Sequence, residues 1–183
     1  PPVTENINLE TDEDVALEVT FPATDVDGEN LSYSIEDGVS NGTLELSNNI
    51  VNYTPDLNWS GNVSFTYKAN DGISDSNIST VTININAVND PPVSEDIPVQ
   101  TEEDSATAIG LNAQDVEGPL NDNYFYSIVS QPSNGTASVP ATVPNNTCEY
   151  TPNKDFYGTD TFTFRASDGT DNGNIATVTV TVA

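Results

Sequence analysis

Of the 183 residues, 29 are Asp or Glu and only three, Lys68, Lys154 and Arg165, are Lys or Arg; there is no histidine, and Cys148 is the one cysteine. The side chains with chemistry to offer are therefore oxygen donors. Asn89-Asp90 stands directly before Pro91-Pro92, Glu13-Asp14 lies early in the chain, and Asp115, Glu117 and Asp168 fall in short turns. Carboxylates, amide oxygens and backbone carbonyls are what calcium takes, roughly six to eight at a time. The alternative chemistry for acidic pairs is hydrolysis by two carboxylates, Asp25 with Asp27 being the candidate. No pocket-forming insertion or oriented acid–base partner accompanies that pair, so no enzymatic activity is expected.

The same composition removes several classes of function. Without histidine there is no serine–histidine triad, no histidine base and no histidine-ligated zinc or iron. A lone Cys148 supports neither an internal disulfide framework nor a redox pair, and is expected as a partly buried strand residue. The net charge of −26 argues against nucleic acid or an anionic membrane as partner. No apolar run approaches the roughly 20 residues that span a bilayer, so membrane insertion is not expected. Starting at Pro1 and ending at Ala183, the sequence is expected to be a piece of a longer chain.

What must position these donors emerges from self-comparison, since similarity at a fixed period marks repeated folding units. "PPVTENI" (1–7) returns as "PPVSEDI" (91–97), "TDED" (11–14) as "TEED" (101–104) and "DVDG" (25–28) as "DVEG" (115–118), all shifted by 90. After a short insertion "YSI" and "NGT" recur at a shift of 93, and after a longer hairpin "YTP" and "FTYKANDG" (65–72) recur at 97, the latter as "FTFRASDG" (162–169). Two homologous domains, 1–90 and 91–183, follow. Within each, apolar residues alternate: Val63, Phe65 and Tyr67, then Val81, Ile83 and Ile85; in the second copy Phe162 and Phe164, then Val178, Val180 and Val182. Period two, with "DG", "NG" and Pro turns between the runs, predicts strands. About seven short strands per ninety residues predict an all-β chain of two tandem Greek-key sandwiches arranged end to end. Trp59 and its counterpart Phe156 are expected to plug one end of each sandwich.

The ordered set Glu13-Asp14, Asp25-Val26-Asp27 before "YSI", Ala69-Asn70-Asp71-Gly72 and Asn89-Asp90, repeated as Glu103-Asp104, Asp115-Val116-Glu117 and Ala166-Ser167-Asp168-Gly169, resembles the cadherin repeat. It resembles more closely the bacterial cadherin-like tandem repeats of very large RTX-type adhesins and other surface proteins. The resemblance implies a cadherin- or immunoglobulin-like sandwich and calcium at the junction, held by Glu13, Asn89, Asp90, Asp115, Glu117 and Asp168. It implies weaker half-sites at Asp25, Asp27 and Asp71 at one end, and at Glu103 and Asp104 at the other. Two departures bear on the number of ions: the Leu-Asp-Arg-Glu motif of animal cadherins is replaced by "YTPDLNWSG" and "YTPNKDFYG", leaving Asp56 and Asn58 as substitutes, and Glu117 stands where the first copy has Asp27.

The function that the resemblance implies is a calcium-rigidified extracellular segment of a bacterial adhesin-like surface protein. Neighbouring repeats of the same chain are its first partners, and a polysaccharide or cell-surface receptor a further one. The alternative is a carbohydrate- or protein-binding module using exposed aromatics such as Trp59, Tyr124 and Tyr126; it needs them grouped on one exposed face, whereas alternation assigns many of the aromatics to cores.

Overall fold

The computed structural model describes residues 1–28, 30–118, 124–141 and 145–183, and all regular structure in them is β-strand. The insertion expected between Gly118 and Tyr126 falls largely on residues 119–123, outside the described residues, as do residues 142–144 of the longer hairpin. The chain divides into two compact units, Pro1–Val88 and Asn89–Ala183. The first unit contains β1 (Val3–Thr4), β2 (Ile7–Asp12), β3 (Leu17–Thr20), β4 (Ala23–Thr24), β5 (Ser32–Asp37), β6 (Thr43–Ser47), β7 (Ile50–Thr54), β8 (Gly61–Asn70) and β9 (Ser79–Asn86). The second contains β10 (Ile97–Thr101), β11 (Thr107–Gly110), β12 (Phe125–Ser130), β13 (Gly135–Ser138), β14 (Thr147–Pro152), β15 (Gly158–Ser167) and β16 (Ala176–Val182).

Each unit is a sandwich. A four-stranded sheet, β2-β9-β8-β5 in the first unit and β10-β16-β15-β12 in the second, packs against a three-stranded one, β3-β7-β6 or β11-β14-β13. The first strand of each large sheet runs parallel to the last, β2 with β9 and β10 with β16, while the other pairs are antiparallel. The period-two pattern explains the layers. Val63, Phe65 and Tyr67 of β8 and Val81, Ile83 and Ile85 of β9 are all buried, as are Phe162, Phe164, Val178, Val180 and Val182 in the second unit. Their outward neighbours stay polar, which leaves one face of the large sheet to solvent.

The repeated Asn-Gly turn is shaped by a tyrosine. A Cβ on Gly42 would run into the Thr54 carbonyl and the Tyr53 ring, and one on Gly135 into the Thr151 carbonyl and the Tyr150 ring; Gly42 also has φ +103°, which a side chain disfavours. Tyr53 donates its hydroxyl to the Asn41 carbonyl at 2.8 Å. Tyr150 instead donates to Asp160 at 3.0 Å. Burial, then the Asp160 hydrogen bond, push the Tyr150 hydroxyl up to about 12. Asp160 is itself buried and also accepts N–H groups of Ser133, Asn134 and Thr161 at 2.9–3.1 Å.

Two expectations are corrected here. Cys148 is fully buried rather than partly, on β14, and burial pushes its thiol up to about 11. The aromatic face does not form: Tyr126 is buried, and Tyr124 and Trp59 pack against their cores. Period two already pointed Tyr126 inward, beside Phe164. Trp59 and Phe156 do plug their sandwiches, each packed against its unit's core.

Candidate metal centre

In the second unit the acidic turns are built by their own carboxylates. Asp115 Oδ1 accepts the Glu117 N–H at 3.1 Å, closing the Asp115–Gly118 turn over a glycine at φ +84°. Asp168 Oδ1 accepts the N–H groups of Thr170 and Asp171 at 2.6 and 2.7 Å, across Gly169 at φ +99°. Asp and Gly suit such turns because a short carboxylate caps nearby N–H groups while glycine takes the positive φ. Asn89 and Asp90 reach this end of the unit. The Asn89 amide donates to Asp168 Oδ2 at 2.8 Å and to Asp171 Oδ2 at 3.0 Å, and the Asp90 N–H donates to Glu117 Oε2 at 3.3 Å. Five of the six junction residues named from sequence, Asn89, Asp90, Asp115, Glu117 and Asp168, are thus linked by turns and hydrogen bonds within one unit.

The electrostatics of the two aspartates differ. Burial raises Asp115 above the usual carboxylate range, helped by the Glu117 carboxylate and by the charge of Asp168. Its Oδ2 is buried with no hydrogen-bond partner among the described residues. Burial works in the same direction on Asp168, but the N–H groups of Asp171, Asn89 and Thr170 outweigh it and hold that carboxyl below the usual range. A buried, bare carboxylate oxygen amid other carboxylates suits a hard cation, and the oxygen-only donor set fits calcium rather than zinc or copper. Among the described residues, however, no group of three or more acidic side chains has metal-holding geometry as it stands. Asn89 turns its amide nitrogen, a donor, toward Asp168 and Asp171.

The first unit repeats both turns, and Asp25 Oδ2, like Asp115 Oδ2, is buried with no hydrogen-bond partner among the described residues. Asp25 Oδ1 accepts the Asp27 N–H at 2.8 Å, and Asp71 Oδ1 accepts those of Ile73 and Ser74 at 2.7 Å. Those two N–H donors, Ser74's first, hold Asp71 low. The Pro1 nitrogen lies 3.6 Å from Asp25 Oδ2 and 3.7 Å from Asp71 Oδ2, both side chains being buried. Asp27 is exposed.

The remaining residues named from sequence do other work. Glu13 is buried, and its carboxylate accepts the Val88 N–H within the first unit. Asp14 accepts the Asn58 N–H at 2.8 Å and Asp104 accepts the Asp155 N–H at 2.9 Å. Each fastens a turn whose residue Asn58 or Asp155 has φ near +55°. Glu103 is exposed, with its backbone N–H on the Ala183 carbonyl. Sequence reasoning missed Asp171. The repeat comparison aligns it with Ser74, so no repeated signal marked it.

Strand order, parallel outer pairing and paired sandwiches define an all-β protein of two tandem immunoglobulin- or cadherin-like domains. The chain belongs to the bacterial Ig domain family, which it matches over residues 1–84 and again over 89–181. The cadherin likeness holds for the fold: the structure of human protocadherin-24 EC1-2 aligns with all of this chain and 97% of its own at TM-score 0.55 and 13% identity. An endo-fucoidan hydrolase from glycoside hydrolase family 107 aligns at TM-score 0.41 and 19% identity over all of this chain and 28% of its own, a likeness on which nothing rests. Integrin beta-like protein B of Dictyostelium discoideum is 30% identical over 86 residues, 47% of this chain, and the chain spans 4% of that protein's length. Among the described residues no helix is long and apolar enough to cross a membrane.

Proposed function

We propose that this pair of bacterial Ig domains is a non-enzymatic spacer of an extracellular, adhesin-like bacterial surface protein, and that calcium bound next to the linker stiffens the step from one domain to the next. The observation that carries the reading is the bare buried oxygen of Asp115 set beside Glu117 and Asp168, with Asn89 and Asp90 drawn to the same turns. Calcium bound there would be held by Asp115, Glu117, Asp168, Asn89 through its amide oxygen, and Asp90. Glu13, which the sequence resemblance adds to this set, lies in the other unit and accepts the Val88 N–H there. Calcium contributes charge neutralisation only. Asp168 and Glu117 orient the donors, and Asn89 must turn its amide about to present oxygen.

Calcium is preferred to magnesium because irregular loops offer irregular coordination, whereas magnesium demands a near-ideal octahedron. Calorimetric titration of the chain is expected to give a calcium Kd on the order of 10⁻⁴ to 10⁻³ M, as for other extracellular modules. Magnesium is expected to bind more weakly, and Asp90→Ala to bind calcium less tightly. Equal affinities for the two ions would count against the reading. Small-angle scattering is expected to show a broader range of interdomain angles in chelator than in excess calcium. Identical profiles in both would remove the stiffening role and leave only a bound ion.

A further inference from the structure

The two large sheets differ at one edge. β5 is an edge strand of the first unit's sheet and β12 of the second's, each bonded to a single neighbour. Along an antiparallel pair, residues that bond their opposite alternate with residues whose N–H and C=O point away from it. Ala69, opposite Tyr33, turns its main chain to Ser76: its N–H donates to Ser76 Oγ at 2.9 Å and its carbonyl accepts the Ser76 N–H at 2.8 Å. Tyr33 is therefore in a pair of the second kind. Its N–H and C=O, and those of Ile35 two residues on, face outward from the sheet edge.

In the second unit the same position is covered. Tyr126 stands opposite Ala166 as Tyr33 does opposite Ala69, and the Asn145 side chain takes both of its main-chain groups, accepting the N–H at 3.1 Å and donating to the carbonyl at 3.0 Å. The β13–β14 connection, 139–146, supplies that asparagine. At the shift of 97 its counterpart is Asn48, held at φ +55° in the two-residue turn between β6 and β7. Among the described residues nothing bonds the outward main-chain groups of Tyr33 and Ile35. An uncovered edge is a template for another strand, and charges decide which strands it admits. Here those charges are Glu36 and Asp37, both exposed at the end of β5.

We propose that the β5 edge of the first unit docks an extended cationic segment of another protein, alternating apolar with basic residues, which pairs antiparallel with β5 as a fifth strand of the sheet. The bare groups are main-chain donors and acceptors two residues apart, which an extended backbone matches and a saccharide or a helix does not. Residues directly opposite each other share a face. Those bonded to Tyr33 and Ile35 therefore lie on the side where these two pack against the core, and are apolar. Those opposite Ser34 and beside Glu36 lie on the outer face, and are basic. Lys68 is the only Lys or Arg of the first unit, and Glu36 and Asp75 already pair with it at 3.4 and 3.0 Å, so the edge offers carboxylates and no free cation. A second copy of this chain would bring one net charge of −26 against another, and like charges across strands destabilise pairing.

Acetyl-Lys-Val-Lys-Val-Lys-Val-Lys amide is titrated into the full chain at about 0.15 M salt, where a Debye length of about 8 Å confines attraction to near contact, and amide NMR shifts are followed. A chelator is present, so that the result is independent of calcium binding. Expected are saturable shifts along β5 at roughly millimolar peptide, with β12 unmoved. Two further probes separate backbone pairing from charge. The same peptide with its valines N-methylated keeps every charge but loses the N–H groups that Tyr33 and Ile35 would accept; acetyl-Glu-Val-Glu-Val-Glu-Val-Glu amide keeps the backbone and reverses the charge. Each is expected to bind at least about tenfold more weakly. Glu36→Lys is expected to weaken the lysine peptide about fivefold. The proposal is overturned if β5 shows no shifts, if either control peptide or the Glu36→Lys chain binds as the parent pair does, or if β12 responds as strongly as β5. It is equally overturned if the β5 amides shift with chain concentration alone, which would make a second copy the occupant.

Discussion

Asp115 and Asp168 sit in neighbouring turns of one unit and are pushed in opposite directions, Asp115 up by burial and by the Glu117 carboxylate, Asp168 down because its N–H donors outweigh its burial. The signs follow from linkage. The depressed Asp168 contributes stability that is present above the ordinary carboxylate range, about 3.9 for aspartate, and is lost as pH falls through its folded value. The raised Asp115 does the reverse. Its ionisation opposes folding above its folded value, and that penalty is relieved on acidification. Asp115→Asn is therefore expected to raise the apo melting temperature of the second unit at neutral pH and to abolish the calcium-dependent increment. Asp168→Asn is expected to lower stability in chelator and in calcium alike. Thermal melts of both variants with and without calcium check this; an Asp115→Asn that melts lower in chelator removes the account of a site held under electrostatic strain. An NMR titration is expected to protonate Asp115 before Asp168.

The tyrosine turns show how local chemistry is shared and then diverges between the copies. Gly42→Ala is expected to cost about 2–3 kcal/mol in the first unit's unfolding, from strain at positive φ and overpacking against Tyr53. Asp160→Ala leaves the buried Tyr150 hydroxyl and the part-buried N–H groups of Ser133, Asn134 and Thr161 without their acceptor, and is expected to cost the second unit about 3 kcal/mol. Denaturant unfolding of each variant, read on its own unit's transition, measures both; a change below about 0.5 kcal/mol in either removes its explanation. These elements also mark what the sequence made legible. The runs Val63-Phe65-Tyr67 and Phe162-Phe164 gave both the strands and their buried faces, because alternation is a local signal. The "DG" turns and the doubled acidic motifs pointed to the same loops from which Asp115 and Asp168 project. Asp160 and Asp171 were not legible, since each is what one copy has and the other lacks: Val63 and Ser74 stand in their places. Asp14 and Asp104 repeat faithfully, yet their bonds to the Asn58 and Asp155 turns span 44 and 51 residues. Only the folded chain brings those partners together.

At the scale of the whole molecule the dominant fact is charge, −26 over 183 residues. Unscreened, such a chain repels itself in the compact state. In chelator, raising salt from about 0.01 M to 0.15 M shortens the Debye length from about 30 Å to about 8 Å, and the melting temperature is expected to rise. That gain is general and independent of which cation supplies it. Calcium is expected to add a specific increment, because an ion bound only by the folded state stabilises by RT ln(1 + [L]/Kd). With Kd near 10⁻³ M and about 10 mM calcium this is roughly 1.4 kcal/mol, worth about 5–10 °C for a domain of some ninety residues. The increment belongs first to the second unit, since Asn89, Asp90, Asp115, Glu117 and Asp168 all lie within Asn89–Ala183. Calorimetric melts at matched ionic strength in sodium, magnesium and calcium chloride separate the two effects. Two transitions that rise together and equally in all three salts would mean that screening alone stabilises the chain and that these carboxylates hold no ion of their own.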